Sequence, residues 1–200
     1  MNKWIPLVAN YGDERLEWVL REIDRLSGNE NFKIFKGVEV NLQPDGSFDT
    51  GMVEAGKFEM VNCSIHPNES DKRYEEIVSD PQKYSELMIA GIKNPKVNIF
   101  CHPGFGCSGD VIKNLSWDKI AEEAIKNEVA IEINMREVMN YIYKNIQSPE
   151  KLRNIQTELP RLVPLISSPE IRNALSSYFK KGLKIAINFD EHQNPFIKTK

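Results

Sequence analysis

The chain has 200 residues, of which 26 are basic and 29 acidic, for a net charge of −3. That length buries a core without disulfides or structural metal, so one domain over 1–200 is the simplest organisation. With no Lys/Arg-rich block the footprint of a dedicated nucleic-acid binder is missing, though nucleic acid stays open as a substrate; no stretch approaches the roughly 18 apolar residues of a membrane span, so no membrane partner is expected.

Strand-like and helix-like patterns alternate along the chain. Asp13 is expected to cap a helix whose apolar positions Leu16, Val19, Leu20, Ile23 and Leu26 recur at spacings of three and four, and Ser27-Gly28 ends it. The strand FKIFKGVEV (32–40) follows, closed by the turn Pro44-Asp45-Gly46, and FEMVNCSI (58–65) is the second strand, followed by a polar loop. Asp80 with Pro81 opens a helix in cap-then-proline order that runs to about Ile92. KVNIFC (96–101) is the third strand, Ser116 caps a helix from Trp117 to about Asn127, and VAIEIN (129–134) is the fourth strand. Residues 135–167, with helical hydrophobics from Val138 to Ile146 and two prolines, Pro160 and Pro164, read as a helical insertion over the sheet. Ser168-Pro169-Glu170 starts the last helix, Gly182 terminates it, and LKIAINF (183–189) is the final strand. Strands apolar on nearly every residue, some joined by segments long enough for a crossover helix, indicate a mostly parallel sheet of about five strands, in an α/β barrel or an open α/β sheet.

The segment IFCHPGFG (99–106) sets a histidine directly after a strand and then breaks the chain with Pro103 and Gly104. Taken alone, such a histidine is better read as a core residue bonded to a carbonyl. Its company reverses the balance. Glu39 lies near the end of the first strand, His66 just past the second, His102 just past the third, Glu132 and Asn134 in the fourth, and Asp190 with His192 past the last. Parallel strands point these ends the same way, and all three histidines of the chain are in the set. Imidazole and carboxylate together bind Zn²⁺, Mn²⁺ or Fe²⁺, and a carboxylate such as Glu39 can bridge two ions. Ions so held activate water and neutralise charge on a phosphate or carbonyl oxygen.

Three competing readings of neighbouring residues are weaker. Cys63, Cys101 and Cys107 are odd in number and lack finger spacing; they fit free thiols in a reducing compartment, the cytoplasm, with Cys63 and Cys101 as core residues and Cys107 as a distant candidate for a Cys/His pair. Gly104, Gly106 and Gly109 match neither a P-loop nor a dinucleotide fingerprint and are read as a sharp bend beside His102. Lys113 and Arg136 are candidate phosphate clamps, with solvated surface charge as the commoner role.

With these residues in place the chain resembles the PHP family, the polymerase and histidinol phosphatase domain, a distorted seven-stranded α/β barrel of metal-dependent phosphoesterases. The matching stretches are FKGVEVNLQPDGSFD (35–49), FEMVNCSIH (58–66), NPKVNIFCHPGFG (94–106), VAIEIN (129–134) and GLKIAINFDEH (182–192). The resemblance implies an incomplete or distorted (βα)7 TIM-like barrel, one to three divalent ions (Zn, Mn or Fe), and Glu39, His66, His102, Asp190 and His192 as metal ligands. Asp190 would orient an ion or the water, and His192 would protonate the leaving group. The implied function is hydrolysis of phosphate esters by metal-activated water, with a small-molecule phosphate ester as the expected substrate.

The departures are specific. The family opens with a strand carrying His-x-His, whereas no residue before Glu39 here is a histidine, and the last motif reads Phe-Asp-Glu-His where the family usually has Ser-Asp-Ala-His. Three explanations follow: a piece of a longer enzyme, a complete protein with a reduced metal site, or a degenerate PHP-like module kept for binding or assembly. A polymerase-associated exonuclease role is a further alternative, because GVEVNLQPDG is most like that branch. An open barrel would expose edge strands, which a homo-oligomer could cover.

Overall fold

The computed structural model describes residues 13–27, 35–49, 56–67, 71–136 and 168–188, with residues 148, 150 and 163 individually. The elements in order are α1 (Asp13–Ser27), β1 (Gly37–Asn41), β2 (Met60–Ser64), α2 (Lys72–Ser79), α3 (Pro81–Ile92), β3 (Ile99–Phe100), α4 (Gly109–Lys113), α5 (Trp117–Lys126), β4 (Ala130–Asn134), α6 (Pro169–Lys180) and β5 (Ile185–Asn188). Among the described residues no helix is long and apolar enough to cross a membrane.

The five strands form one parallel sheet in the order β1-β2-β3-β4-β5, each strand laid beside its predecessor. Winding in a single direction with right-handed crossovers stacks successive helices on the same face, and α3, α5 and α6 do pack side by side. Although β3 holds only two residues, bonds from Asn98 N–H to Val61 O and from Cys101 N–H to Cys63 O carry its pairing with β2 further at both ends.

Register explains the two faces. Val40, Cys63, Phe100, Ile131 and Ile185 lie in one row across the sheet. That row faces the helices, where α3 brings Gly91 so close that an added Cβ would sit 3.0 Å from Leu42 Cδ2, 3.2 Å from Cys63 Sγ and 3.3 Å from Phe100 Cε2. Side chains alternate along a strand, so the neighbouring rows, with Glu39, Asn41, Asn62, Ser64 and Glu132, turn to the opposite face. The sequence leads one to expect strands apolar on both faces. Instead the polar residues of GVEVN, MVNCS and AIEIN collect on one side, opposite the side on which α3 packs.

The caps follow the local chemistry. Asp80 accepts from Gln82 and Lys83 N–H ahead of Pro81, Ser168 accepts from Ile171 N–H, and Gly182 takes φ +105° just after α6. Ser116 is a correction: its side chain makes no cap bond, and its own N–H donates to Ser85 Oγ at 2.9 Å. A second correction lies in the segment expected as a polar loop after β2, which contains α2, capped by Asp71 and buried through Tyr74 and Ile77. Most of the proposed insertion at 135–167 lies outside the described residues.

Candidate metal centre

The carboxyl ends of β1, β2 and β3 bring together Glu39, His66 and His102, whose ligand-type atoms all lie within 4.8 Å of one another. Glu39 Oε1 stands 3.3 Å from His102 Nε2 and 3.6 Å from His66 Nε2, and the two imidazole centroids are 5.3 Å apart. Among the described residues this cluster contains no cysteine.

Each histidine is held by its own scaffold. His66 N–H donates to Asn41 Oδ1 at 2.7 Å, and Asn41 Nδ2 donates back to His66 O at 3.2 Å. The second amide hydrogen of Asn41 reaches the Tyr74 hydroxyl at 3.2 Å, which itself donates to Leu42 O at 3.0 Å. The ring is set by Ser64 Oγ, 3.0 Å from His66 Nδ1. Helix α2, invisible to the sequence reading, thus supplies Tyr74 as part of the support for His66.

His102 occupies the left-handed region at φ +51°, a conformation that costs a non-glycine residue on the order of 1–3 kcal/mol and persists only where surrounding bonds enforce it. Those bonds are present. Its N–H donates to the buried Glu132 Oε2 at 2.9 Å, its carbonyl accepts Phe105 N–H at 2.8 Å, and Gly104 N–H donates to the Tyr84 hydroxyl at 2.9 Å. Asn134 Nδ2 lies 3.0 Å from His102 Nδ1. Gly104 and Gly106, at φ +85° and +79°, serve this bend rather than a phosphate cradle, and Gly104 presses so closely on Ile112 that a Cβ would meet it at 2.7 Å.

The electrostatics suit a cation. Burial pushes the Glu39 carboxyl up, but hydrogen bonding and charge from His102, then charge from His66 and a hydrogen bond from Ser64, outweigh it and leave the group below its ordinary value. Glu39 Oε1 and Asn62 Oδ1, on register-paired residues, are both buried and have no well-aligned hydrogen bond among the described residues, the approach of His102 Nε2 to Glu39 Oε1 at 3.3 Å being an imperfect one. A buried acceptor facing two imidazoles without a well-formed hydrogen bond is a costly arrangement that a shared ion relieves. One carboxylate and two imidazoles are donors appropriate to Zn²⁺, Mn²⁺ or Fe²⁺, so the three residues fit a divalent ion.

The remaining sequence candidates separate. Asp190 and His192 lie outside the described residues. Cys63 and Cys101 are buried in the sheet, and burial pushes the Cys63 thiol up to about 12 and raises that of Cys101 also, so both are protonated packing groups. Cys107 is likewise pushed up by burial to about 12, which leaves no thiolate for a Cys/His pair near neutrality. Lys113 is exposed and lines a surface cleft with Trp117, Glu170 and Ile171, none of them from the cluster. Arg136 stands just beyond β4, its N–H donating to Asn134 Oδ1 at 2.9 Å. Sequence reasoning placed Glu132 and Asn134 at the right end of the sheet without assigning them a task; the contacts with His102 depend on strand register, which no local motif announces. Phe105, 48% exposed, was not singled out, yet its ring stands edge-on to both His66 and His102, at 5.3 and 5.9 Å.

No family model matches the chain. Among curated proteins it is similar to the DNA polymerase/3'-5' exonuclease PolX of Bacillus subtilis (strain 168), with 31% identity over 139 residues that make up 66% of this chain. Those residues span 22% of the relative's length, about a fifth, so the likeness is to one segment of a larger protein.

Proposed function

We propose that the protein is a metal-dependent hydrolase of phosphate esters, built on a PHP-type barrel of which the five described strands are part of the wall. The observation that carries this reading is the convergence of Glu39, His66 and His102 at one end of a singly wound parallel sheet, the end where α/β folds place their chemistry. A divalent ion bound there would supply the charge that activates water and neutralises phosphoryl oxygens. Glu39, His66 and His102 would hold it, and Asp190 and His192 would extend the ligand set; in the step itself a water oxygen forms the new P–O bond as the ester P–O bond breaks, and His192, acting as an uncoordinated imidazolium, would give the proton to the departing alcohol oxygen. Phe105 offers an apolar wall beside the two imidazoles. The exonuclease activity in the relative's name is hydrolysis of a phosphodiester, the same reaction class, so single-stranded DNA belongs in the substrate panel beside aryl phosphates.

The test is metal content by mass spectrometry, followed by assay of an aryl phosphomonoester, an aryl phosphodiester and an oligonucleotide with Mn²⁺, Zn²⁺ or Fe²⁺. The expected result is about one ion or more per chain and hydrolysis that falls about 100-fold or more in His102→Ala and Glu39→Gln, with circular dichroism unchanged. Less than about 0.2 ion per chain, with no turnover of any ester, removes the enzyme reading and leaves a binding or assembly module.

A further inference from the structure

The surroundings of His102 determine which of its nitrogens is available. The orientation of the Asn134 amide is set from both sides. Its Oδ1 accepts Arg136 N–H at 2.9 Å, while its Nδ2 lies 3.4 Å from Glu132 Oε2. A half-turn of the amide would place oxygen against a carboxylate oxygen and an NH₂ against a backbone N–H, losing both interactions. The group that meets His102 Nδ1 at 3.0 Å is therefore a donor. A donor there requires a lone pair on Nδ1, so the neutral ring carries its proton on Nε2, the nitrogen that faces Glu39.

That is the wrong tautomer for a ligand. A cation held through Nε2 takes the lone pair of that nitrogen, and the ring proton then sits on Nδ1, where the Asn134 amide opposes it as a second donor. Glu132 Oε2 is an acceptor within reach, 3.6 Å from Nδ1, and it is anchored by the His102 N–H in a side chain only 1% exposed. We propose that Asn134 and Glu132 are positioning residues with opposed effects: Asn134 holds metal-free His102 in the Nε2–H form, and Glu132 receives the Nδ1–H of the form that binds a cation. The proposal rests on the metal reading above. Its distinctive consequence is that two neighbouring residues on β4, touching the same ring nitrogen, should change cation affinity in opposite directions, which a merely structural role would not produce.

The experiment uses the full chain labelled with ¹⁵N, with His102 resonances assigned by comparison with His102→Gln. In the metal-free protein, long-range ¹H–¹⁵N spectra should show His102 protonated on Nε2, and Asn134→Ala should shift the population toward Nδ1–H. Zinc titration should show tighter binding in Asn134→Ala and about tenfold or more weaker binding in Glu132→Gln, an isosteric change that keeps an oxygen for the His102 N–H. Zinc uptake by a protein whose metal-free His102 is already protonated on Nδ1, or affinities that move in the same direction in the two variants, would overturn the proposal and leave the proposed function standing. Absence of zinc uptake by any form, with the expected metal-free tautomer, would overturn the proposed function and the role of Glu132, while the hold of Asn134 on the ring would survive.

Discussion

Replacing Gly104 by alanine should weaken the fold more than its single methyl suggests. At φ +85° an L-residue is strained, at a cost of roughly 1–2 kcal/mol. The new Cβ would lie 2.7 Å from Ile112 Cγ1 and 3.0 Å from Cδ1, against a comfortable carbon separation of about 3.5–4.0 Å. Ile112 is buried in the main core, so relief requires α4 to shift or the isoleucine to leave its rotamer, at about 1–3 kcal/mol. Together these come to about 2–5 kcal/mol, a large part of the 5–15 kcal/mol typical of a domain. Urea denaturation followed by circular dichroism should show the midpoint falling by about 1–2 M at an unchanged slope. Gly109→Ala is the matched control, because a Cβ there meets nothing within 4 Å and its φ is not positive; it should be neutral or slightly stabilising. A loss below about 1 kcal/mol at Gly104 would refute the claim that this loop is braced against Ile112.

Tyr84→Phe removes the acceptor of the buried Gly104 N–H and should cost about 1–3 kcal/mol in the same denaturation assay, with an effect near zero arguing against that bond. In the metal-free protein Glu39 lies below its ordinary value of 4.5, so its carboxylate stabilises the fold above that pH and the contribution disappears as pH falls through the lower folded value. The denaturation midpoints of wild type and Glu39→Gln in chelator should accordingly differ at pH 6 and converge towards pH 3, whereas a gap that widens on acidification would reverse the sign. Phe105→Ala should raise KM about fivefold or more for esters carrying an aromatic ring or nucleobase and little for an alkyl phosphate, with kcat retained. Equal losses on both would assign Phe105 to packing of the histidines.

The parts of the fold set by local pattern could be read from the chain. The five strands and their parallel alternation with helices follow from short apolar runs separated by caps, and α3 and α6 follow from Asp80-Pro81 and Ser168-Pro169. Helix α2 escaped because KRYEEIVS is short and mostly charged, and its core-facing Tyr74, Ile77 and partly buried Val78 make a single i, i+3, i+4 set, too little to separate a short helix from a polar connection, although Asp71 was a visible cap. Ser116 misled because a serine caps from an extended backbone, as Asp80 and Ser168 do, whereas Ser116 sits at φ −74°, ψ 59° and its side chain makes no cap bond. At the site, Glu39, His66 and His102 were legible from position, since a residue late in one parallel strand and residues just past the next two share one end of the sheet. What held them was not legible. The left-handed turn at His102 and the contacts from Glu132 and Asn41 arise from register between strands distant in sequence, and a single sequence carries no direct record of register.

Asn41 extends the sheet beyond the end of β1. Its carboxamide accepts the N–H and donates to the C=O of His66, the two bonds that two successive peptide groups of β1 would make if that strand ran on beside β2. The side chain therefore stands in for missing backbone: the main chain leaves the sheet after Leu42, while the ladder is continued for one more rung by a substitute. The excursion that follows β1 then acts on the histidine through the asparagine: Asp49 accepts Asn41 N–H on its Oδ1 at 3.0 Å and donates its own N–H to Asn41 O at 3.0 Å. Aspartate in place of Asn41 would turn one of the two rungs into a repulsion between oxygens.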